Sequence, residues 1–272
     1  MPKNATKKNG EVSKNRLKKE KQKEANVGKT IAIFLIVLVV LGLSIGILFS
    51  PAFNLTEVII KDGTNVKAEE ISSLLDVKYG ENVLKQKYKK IKESVLSLPY
   101  IKDAKVTINF PDKIKVAYIE RRPYATIKFL ETFFVTDRFG YLLEANKENK
   151  FPDLPILYGI ELEGYELGNQ LAEVSGLKYK NIVQLLETAK QKNIPYTISE
   201  IDYESVSEVK LWIKESDIEI VYGEIKKEML IDKLNYLSEV MKTLIAEGKR
   251  GSVDVSSDTY LEETIFTDIN NM

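Results

Sequence analysis

Ser175 and Lys178 stand at the Ser-x-x-Lys spacing that lets a lysine act as base to a serine nucleophile. The Ser-Asp-Asn and Lys-Thr-Gly elements that accompany such a pair in penicillin-recognising enzymes are absent, and Ser175 reads instead as the N-cap of a following helix. Gly28-Lys29-Thr30 ends like a phosphate-binding loop. The position that should hold the loop's first glycine is Lys23, however, and the next residues are an apolar span. Asn54-Leu55-Thr56 is a glycosylation sequon beside that span and carries little weight. The acid pairs Asp202/Glu204 and Glu161/Glu163 sit in strand-like or loop-like stretches with nothing to set their pKa values apart, so they read as solvated. The chain has no Cys and no His, which removes thiolate nucleophiles, Ser–His pairs and the usual zinc sites. No catalytic residue, metal site or cofactor site is expected, and the chain does not read as an enzyme.

With catalysis set aside, the charge pattern becomes the next signal. The formal net charge is zero over 272 residues. Residues 1–29 hold ten basic and three acidic side chains, net +7, which leaves 30 basic and 37 acidic for the rest, net −7. From Ile31 to Phe49 no residue is charged, and a helix of that length spans about 28 Å, close to a bilayer's hydrocarbon core. Ile31, Phe34, Leu38, Leu41, Ile45 and Phe49 mark this span, and Ser50-Pro51 stops it. The run is longer than a signal peptide's apolar region and starts later, so it reads as an uncleaved anchor. The basic flank places the N-terminus in the cytoplasm and the body outside, as a single-pass type II protein. The Lys-rich tail has no apolar periodicity and no aromatic residue to stack on a base, so it reads as a disordered topology determinant without nucleic-acid binding.

The body must position whatever surface the protein uses. Leu55–Lys61 reads as a strand, Lys67–Leu75 and Lys85–Leu98 as helices, and two alternating strands follow around Pro111-Asp112. That order, β-α-α-β-β, describes helices on one face of a small sheet. Beyond Pro123 come a strand-like aromatic stretch to Val135, a loop-rich segment and a helix over 176–190. Strands at 196–202, 208–213 and 218–222, a long helix over 225–246 and a terminal strand-like segment over 252–266 complete the chain. Trp212 falls out of phase with Val209, Leu211 and Ile213, on the other face of its strand, under a helix or as an exposed anchor.

An ordered set of residues then carries a family resemblance. It includes Val58, Ile60 and Gly63, Ile71, the run Tyr79 to Leu84, and Leu98-Pro99-Tyr100-Ile101 with Ala104 and Val106. Phe110-Pro111, Val116, Glu120 to Ala125, and Val135-x-Asp137-x-x-Gly140 continue it. The chain resembles the FtsQ/DivIB family of bacterial cell-division proteins over nearly its whole length. The resemblance implies an α+β protein: a cytoplasmic tail (1–29), one transmembrane helix (30–50), a POTRA domain (53–122), a mixed α+β domain with an antiparallel sheet (123–268), and a short tail (269–272). It implies a non-enzymatic divisome scaffold in the cell membrane, enriched at the septum, without cofactors. Its partners would be FtsL and FtsB/DivIC-like coiled-coil proteins, with a septal penicillin-binding protein as a further one. In the family a partner segment pairs by strand addition, and the matching residues are Gly251, Ser252, Val253, Asp254 and Val255, continuing to Tyr260 and Phe266. Ser256-Ser257 departs from the Arg-aromatic pair that many relatives carry there. Glu120, Arg121 and Pro123 would form an interdomain elbow in which Glu and Arg pair across the junction. The alternative is a POTRA-type membrane-anchored chaperone or translocation module, which usually has tandem units ahead of a barrel.

Overall fold

The computed structural model describes residues 29–268 apart from Pro195 and Glu215; the basic tail over residues 1–28 and the expected tail over 269–272 lie outside the described residues. The first element is helix α1, Lys29–Leu48, twenty residues that contain an 18-residue window with a mean hydropathy of 3.2 and no buried side chain. All six marker residues of the expected span are exposed.

The elements that follow are β1 (Glu57–Ile60), α2 (Ala68–Leu74), α3 (Tyr88–Leu96), β2 (Ile101–Asn109) and β3 (Lys113–Glu120), with 3₁₀ turns at Pro51–Phe53 and Val83–Lys85. The three strands form one sheet in the order β1-β3-β2. This is the β-α-α-β-β order expected from the pattern.

Contact density divides the chain into two compact units that cut across these elements. One holds the residues up to Ile59 with Val77–Lys87 and Thr107–Lys115; the other holds Ile60–Asp76, Tyr88–Val106 and the chain from Val116 onward. Leu55, Val83 and Ile114 are fully buried in the first; Ile71, Ile91, Val95, Ala104 and Val116 are buried in the second.

The second unit continues with β4 (Pro123–Phe129), β5 (Thr132–Asp137), β6 (Leu142–Asn146), β7 (Ile156–Tyr158) and α4 (Glu173–Gln191). Then come β8 (Ile198–Asp202), β9 (Lys210–Ile213), β10 (Ile218–Val221), α5 (Leu230–Ala246), β11 (Gly251–Asp254), α6 (Tyr260–Glu263) and β12 (Ile265–Asp268). Nine strands make one sheet in the order β12-β11-β10-β9-β8-β7-β4-β5-β6.

Register lays a single apolar row across eight of them: Phe134, Ile127, Leu157, Ile201, Leu211, Ile220, Val253 and Phe266. Tyr179, Ile182 and Leu185 of α4 and Leu234, Leu237 and Met241 of α5 are buried in the same cluster. Each fully buried aliphatic side chain there contributes about 1.5–3 kcal/mol.

The α+β class holds, but the second sheet is mixed rather than antiparallel: β4 with β7, β7 with β8, and β10 with β11 run parallel. For the last two pairs the reason is covalent. Helix α4 connects β7 to β8 and α5 connects β10 to β11, and a strand that re-enters the sheet through a helix lands parallel to its predecessor. The segment expected as one terminal strand is two strands separated by α6. Trp212 does lie on the face away from Leu211 and Ile213, level with Glu200 and Glu219. The buried residues of α4 and α5 share the Leu211 face, so Trp212 is not under either helix; it is half-buried.

Candidate functional site

The elbow at the end of β3 is built from a carboxylate and a guanidinium that face opposite ways. Glu120 turns back to the loop after β1. Its Oε2 accepts the backbone N–H groups of Thr64 and Asn65 at 3.1 Å each, and its Oε1 accepts that of Val66 at 3.1 Å. Three convergent donors make a strong anion seat, and Gly63 lies so near that an added Cβ would meet Oε1 at 1.7 Å. Arg121 turns forward: its Nη1 donates to Asp137 Oδ2 at 2.8 Å, and its guanidinium stacks 3.4 Å from the centre of the Tyr141 ring. Of the two residues expected to pair across the junction, Arg121 does so with Asp137, whereas Glu120 pairs backwards because the Thr64–Val66 nest claims it.

Asp137 is the receiving half of the junction. Its Oδ1 accepts the backbone N–H of Phe139 at 2.8 Å and of Tyr141 at 3.0 Å, closing the turn that Gly140 completes. Tyr179 on α4 donates its hydroxyl to Asp137 O at 2.7 Å, and burial pushes that phenol's pKa up. The side chains of Arg121 and Asp137 are 10% and 4% exposed, so this ion pair is desolvated rather than a surface contact. Pro123 begins β4 at this point, and the pKa of Tyr124 beside it is raised, chiefly by burial and then by the Glu187 carboxylate of α4.

The expected partner-binding strand lies elsewhere than strand addition requires. β11 pairs with β10 on one side and β12 on the other, so the backbone of Gly251, Ser252, Val253 and Asp254 is already part of two ladders. Val253, Val255 and Tyr260 are 0%, 1% and 6% exposed; they are core residues and offer a partner nothing. A strand can be added only where N–H and C=O groups lack a neighbour; the sheet order ends in β12 on one side and β6 on the other, and β12 is the end that adjoins β11. There Ile265 is 61% exposed while Phe266 packs on the core. Gly251 is what lets β12 lie so close: its φ is +148°, and a Cβ on it would stand 1.9 Å from Thr267 O.

Behind this edge, Lys233 of α5 is buried. Its Nζ donates to Tyr222 O at 2.8 Å and lies 4.7 Å and 5.6 Å from the rings of Tyr222 and Tyr260. Burial pushes the Lys233 pKa down. Tyr260 begins α6, the turn that delivers the chain to β12, so Lys233 helps fix where that edge sits.

Two family models cover most of the chain. The POTRA domain of FtsQ type matches residues 53–121, and the C-terminal region of the cell division protein FtsQ/DivIB matches residues 128–256. This chain belongs to the FtsQ/DivIB family. Among similar proteins, the cell division protein DivIB of Clostridium tetani is 27% identical over 208 residues, covering 76% of this chain and 77% of its own. DivIB of Clostridium botulinum strain Loch Maree is 27% identical over 244 residues, covering 88% and 91%. A solved structure of the major extracytoplasmic domain of DivIB from Geobacillus stearothermophilus aligns at 23% identity and a TM-score of 0.29, covering 46% of this chain and 95% of that one.

An FtsQ/DivIB chain is a cell-division protein, and the family is not one of known enzymes. Ser175 is not the N-cap of α4, which is Ala172; its hydroxyl donates to Glu161 O at 2.7 Å, and Lys178 Nζ donates to Gly159 O and Tyr203 O at 2.9 and 3.1 Å. Both side chains are spent on loop carbonyls. Among the described residues no cluster of acidic side chains could hold a metal ion.

The sequence reading missed Lys233, the pairing of Arg121 with Asp137, and the placing of β12 at the edge. The Asp137-x-x-Gly140 spacing signals a side-chain-capped turn and could have flagged Asp137. A lone lysine among the apolar positions of a long helix could have flagged Lys233.

Proposed function

We propose that this protein is a non-enzymatic, membrane-anchored scaffold of the division machinery that receives an extended segment of an FtsB/DivIC-type partner on the outer edge of β12. Residues 53–122 and 123–268 act as its two outer domains, α1 is its anchor, the N-terminus is cytoplasmic, and the protein gathers at the septum. FtsL and a septal penicillin-binding protein join the same assembly. The observation that carries this reading is the position of β12 at the end of the nine-stranded sheet, with only β11 beside it among the described residues. An added strand there gains main-chain hydrogen bonds, and the exposed Ile265 offers a first side-chain contact.

Truncation after Thr264 removes β12 and leaves the buried row from Phe134 to Val253 in place. Full-length protein is expected to co-purify with the FtsB/DivIC partner from detergent extracts, and the truncated chain to lose it. Undiminished capture by the truncated chain would sink the edge assignment. Reporter fusions at residues 10 and 200 test the topology, and depletion of the protein should give filaments without septa.

A further inference from the structure

The apolar helix is only as long as a membrane is thick. Twenty residues at 1.5 Å each span about 30 Å, the thickness of a hydrocarbon core, so Lys29 and Leu48 stand at its two boundaries with no slack between them. Whatever touches Leu48 and Phe49 is therefore in the interfacial layer, which extends roughly 5–8 Å beyond the hydrocarbon on that side.

Several parts of the same compact unit touch them. The last carbonyls of a helix have no partner within the helix, and Asn82 supplies one: its Nδ2 donates to Leu48 O at 2.9 Å. The same side chain accepts the backbone N–H of Leu84 through Oδ1 at 2.9 Å, and Asn82 bridges to Asn54 through the backbone. Lys85 Nζ lies 5.9 Å from the centre of the Phe49 ring. Phe53, in the turn that follows α1, meets Phe110 edge-on at 6.3 Å between centroids.

Phe110 stands at the end of the β2–β3 hairpin, and the hairpin is braced against the same strand entry. Thr56 N–H donates to Asp112 O at 2.9 Å, Thr56 Oγ1 donates to Asp112 Oδ2 at 2.7 Å, and Lys113 pairs with Glu57. Phe110 is nevertheless 62% exposed and Leu84 39% exposed. Leu84 and Lys85, turned outward beside the end of α1, and Phe110, turned outward and linked to that end through Phe53, match the residues that favour a membrane interface.

We propose that the base of the first domain is a lipid-binding surface. The Phe110 hairpin tip, Phe53 and the Leu84–Lys85 turn are seated among the headgroups and upper acyl chains at the C-terminal end of α1, with Asn82 locking that seat to the helix. The occupant is the bilayer itself. This rests on the reading of α1 as a membrane span, and the experiment separates the two.

The chain has no cysteine, so single cysteines introduced into the full-length protein can each carry one environment-sensitive bimane label. The labelled proteins are reconstituted in vesicles of phosphatidylethanolamine and phosphatidylglycerol containing doxyl lipids that quench at shallow or deep positions. Ile36→Cys on α1 reports the span, and Leu130→Cys on the exposed β4–β5 turn reports water. Phe110→Cys, Leu84→Cys and Ala52→Cys report the base, so that one poorly folding variant does not decide the outcome.

The expected result is a blue-shifted emission and loss of intensity with the shallow quencher at Phe110 and Leu84, deep quenching at Ile36, and neither at Leu130. If Ile36 is quenched while Phe110 and Leu84 behave like Leu130, the seat is wrong and the span stands. If Ile36 itself escapes quenching, the span reading falls and takes the seat with it.

Discussion

Replacing Arg121 by Met keeps most of the aliphatic stem but removes the guanidinium that stacks on Tyr141 and carries the charge facing Asp137. The carboxylate is then left buried, with backbone donors on Oδ1 and nothing charged on Oδ2. Removing one partner of a desolvated ion pair costs about 3–5 kcal/mol, against less than about 1 kcal/mol for an exposed pair. For a body of this size each kcal/mol moves the melting temperature by about 2–4 °C, so Arg121→Met should lower Tm by roughly 6–20 °C. The full-length protein in detergent carries one tryptophan, Trp212 in β9, whose fluorescence follows unfolding of the large sheet without a label. Asp137→Asn and the double variant complete a cycle. The double variant should be less damaged than the sum of the singles by about 1–3 kcal/mol, since neither charge is then buried alone. The loss should persist in high salt, because a buried pair is poorly screened. A change within about 0.5 kcal/mol for Arg121→Met, as for an ordinary surface substitution, would refute the argument, and so would strict additivity.

Gly63→Ala drives a methyl group into the Glu120 carboxylate and should cost about 1–3 kcal/mol as the three N–H donors of the nest lose their acceptor; Glu120→Gln, measured by the same unfolding assay, should cost less. Gly251→Ala places a Cβ against Thr267 O, so amide exchange in β12 should accelerate and partner capture should fall while β10 stays protected. Lys233 has a folded-state pKa below its unfolded value, so the unfolded chain binds more protons and stability from this group rises with pH towards 10.5. Relative to Lys233→Met, the wild type should gain stability in urea titrations as pH rises towards 10.5; a difference that stays constant all the way to 10.5 would mean that burial of this charge carries no penalty. Leu211→Ala, in the centre of the apolar row, should cost about 2–5 kcal/mol by the same titration.

Much of this fold is legible from local pattern. The alternation of Val209, Leu211 and Ile213 against Ile218, Ile220 and Tyr222 gave both strands and their buried face, and the structure keeps that register with Leu211 opposite Ile220. Local pattern does not name neighbours. Val253 and Val255 alternate as a half-buried strand should, and the same alternation suits a sheet edge or a strand enclosed on both sides. What separates the two is β12, whose four residues are too short to announce themselves, and α6, one turn long. The parallel pairs were within reach, since a helical stripe between two strand patterns is the signature of a crossover. The elbow was legible by position but not by partner: Glu120 and Arg121 are adjacent in sequence, and the partners they choose are 54 to 56 residues upstream and 16 downstream.

The place of β12 also orders events in time. Among the described residues it is the last strand in sequence, and its one neighbour there is β11, which is itself laid beside β10 after α5 has crossed the sheet. Synthesis delivers the chain N-terminus first, so this edge is the part of the described sheet that emerges last. A molecule with an unfinished outer layer has no such edge to present. Recruitment through it would therefore admit only copies that have completed their fold, an inspection step that needs no inspector.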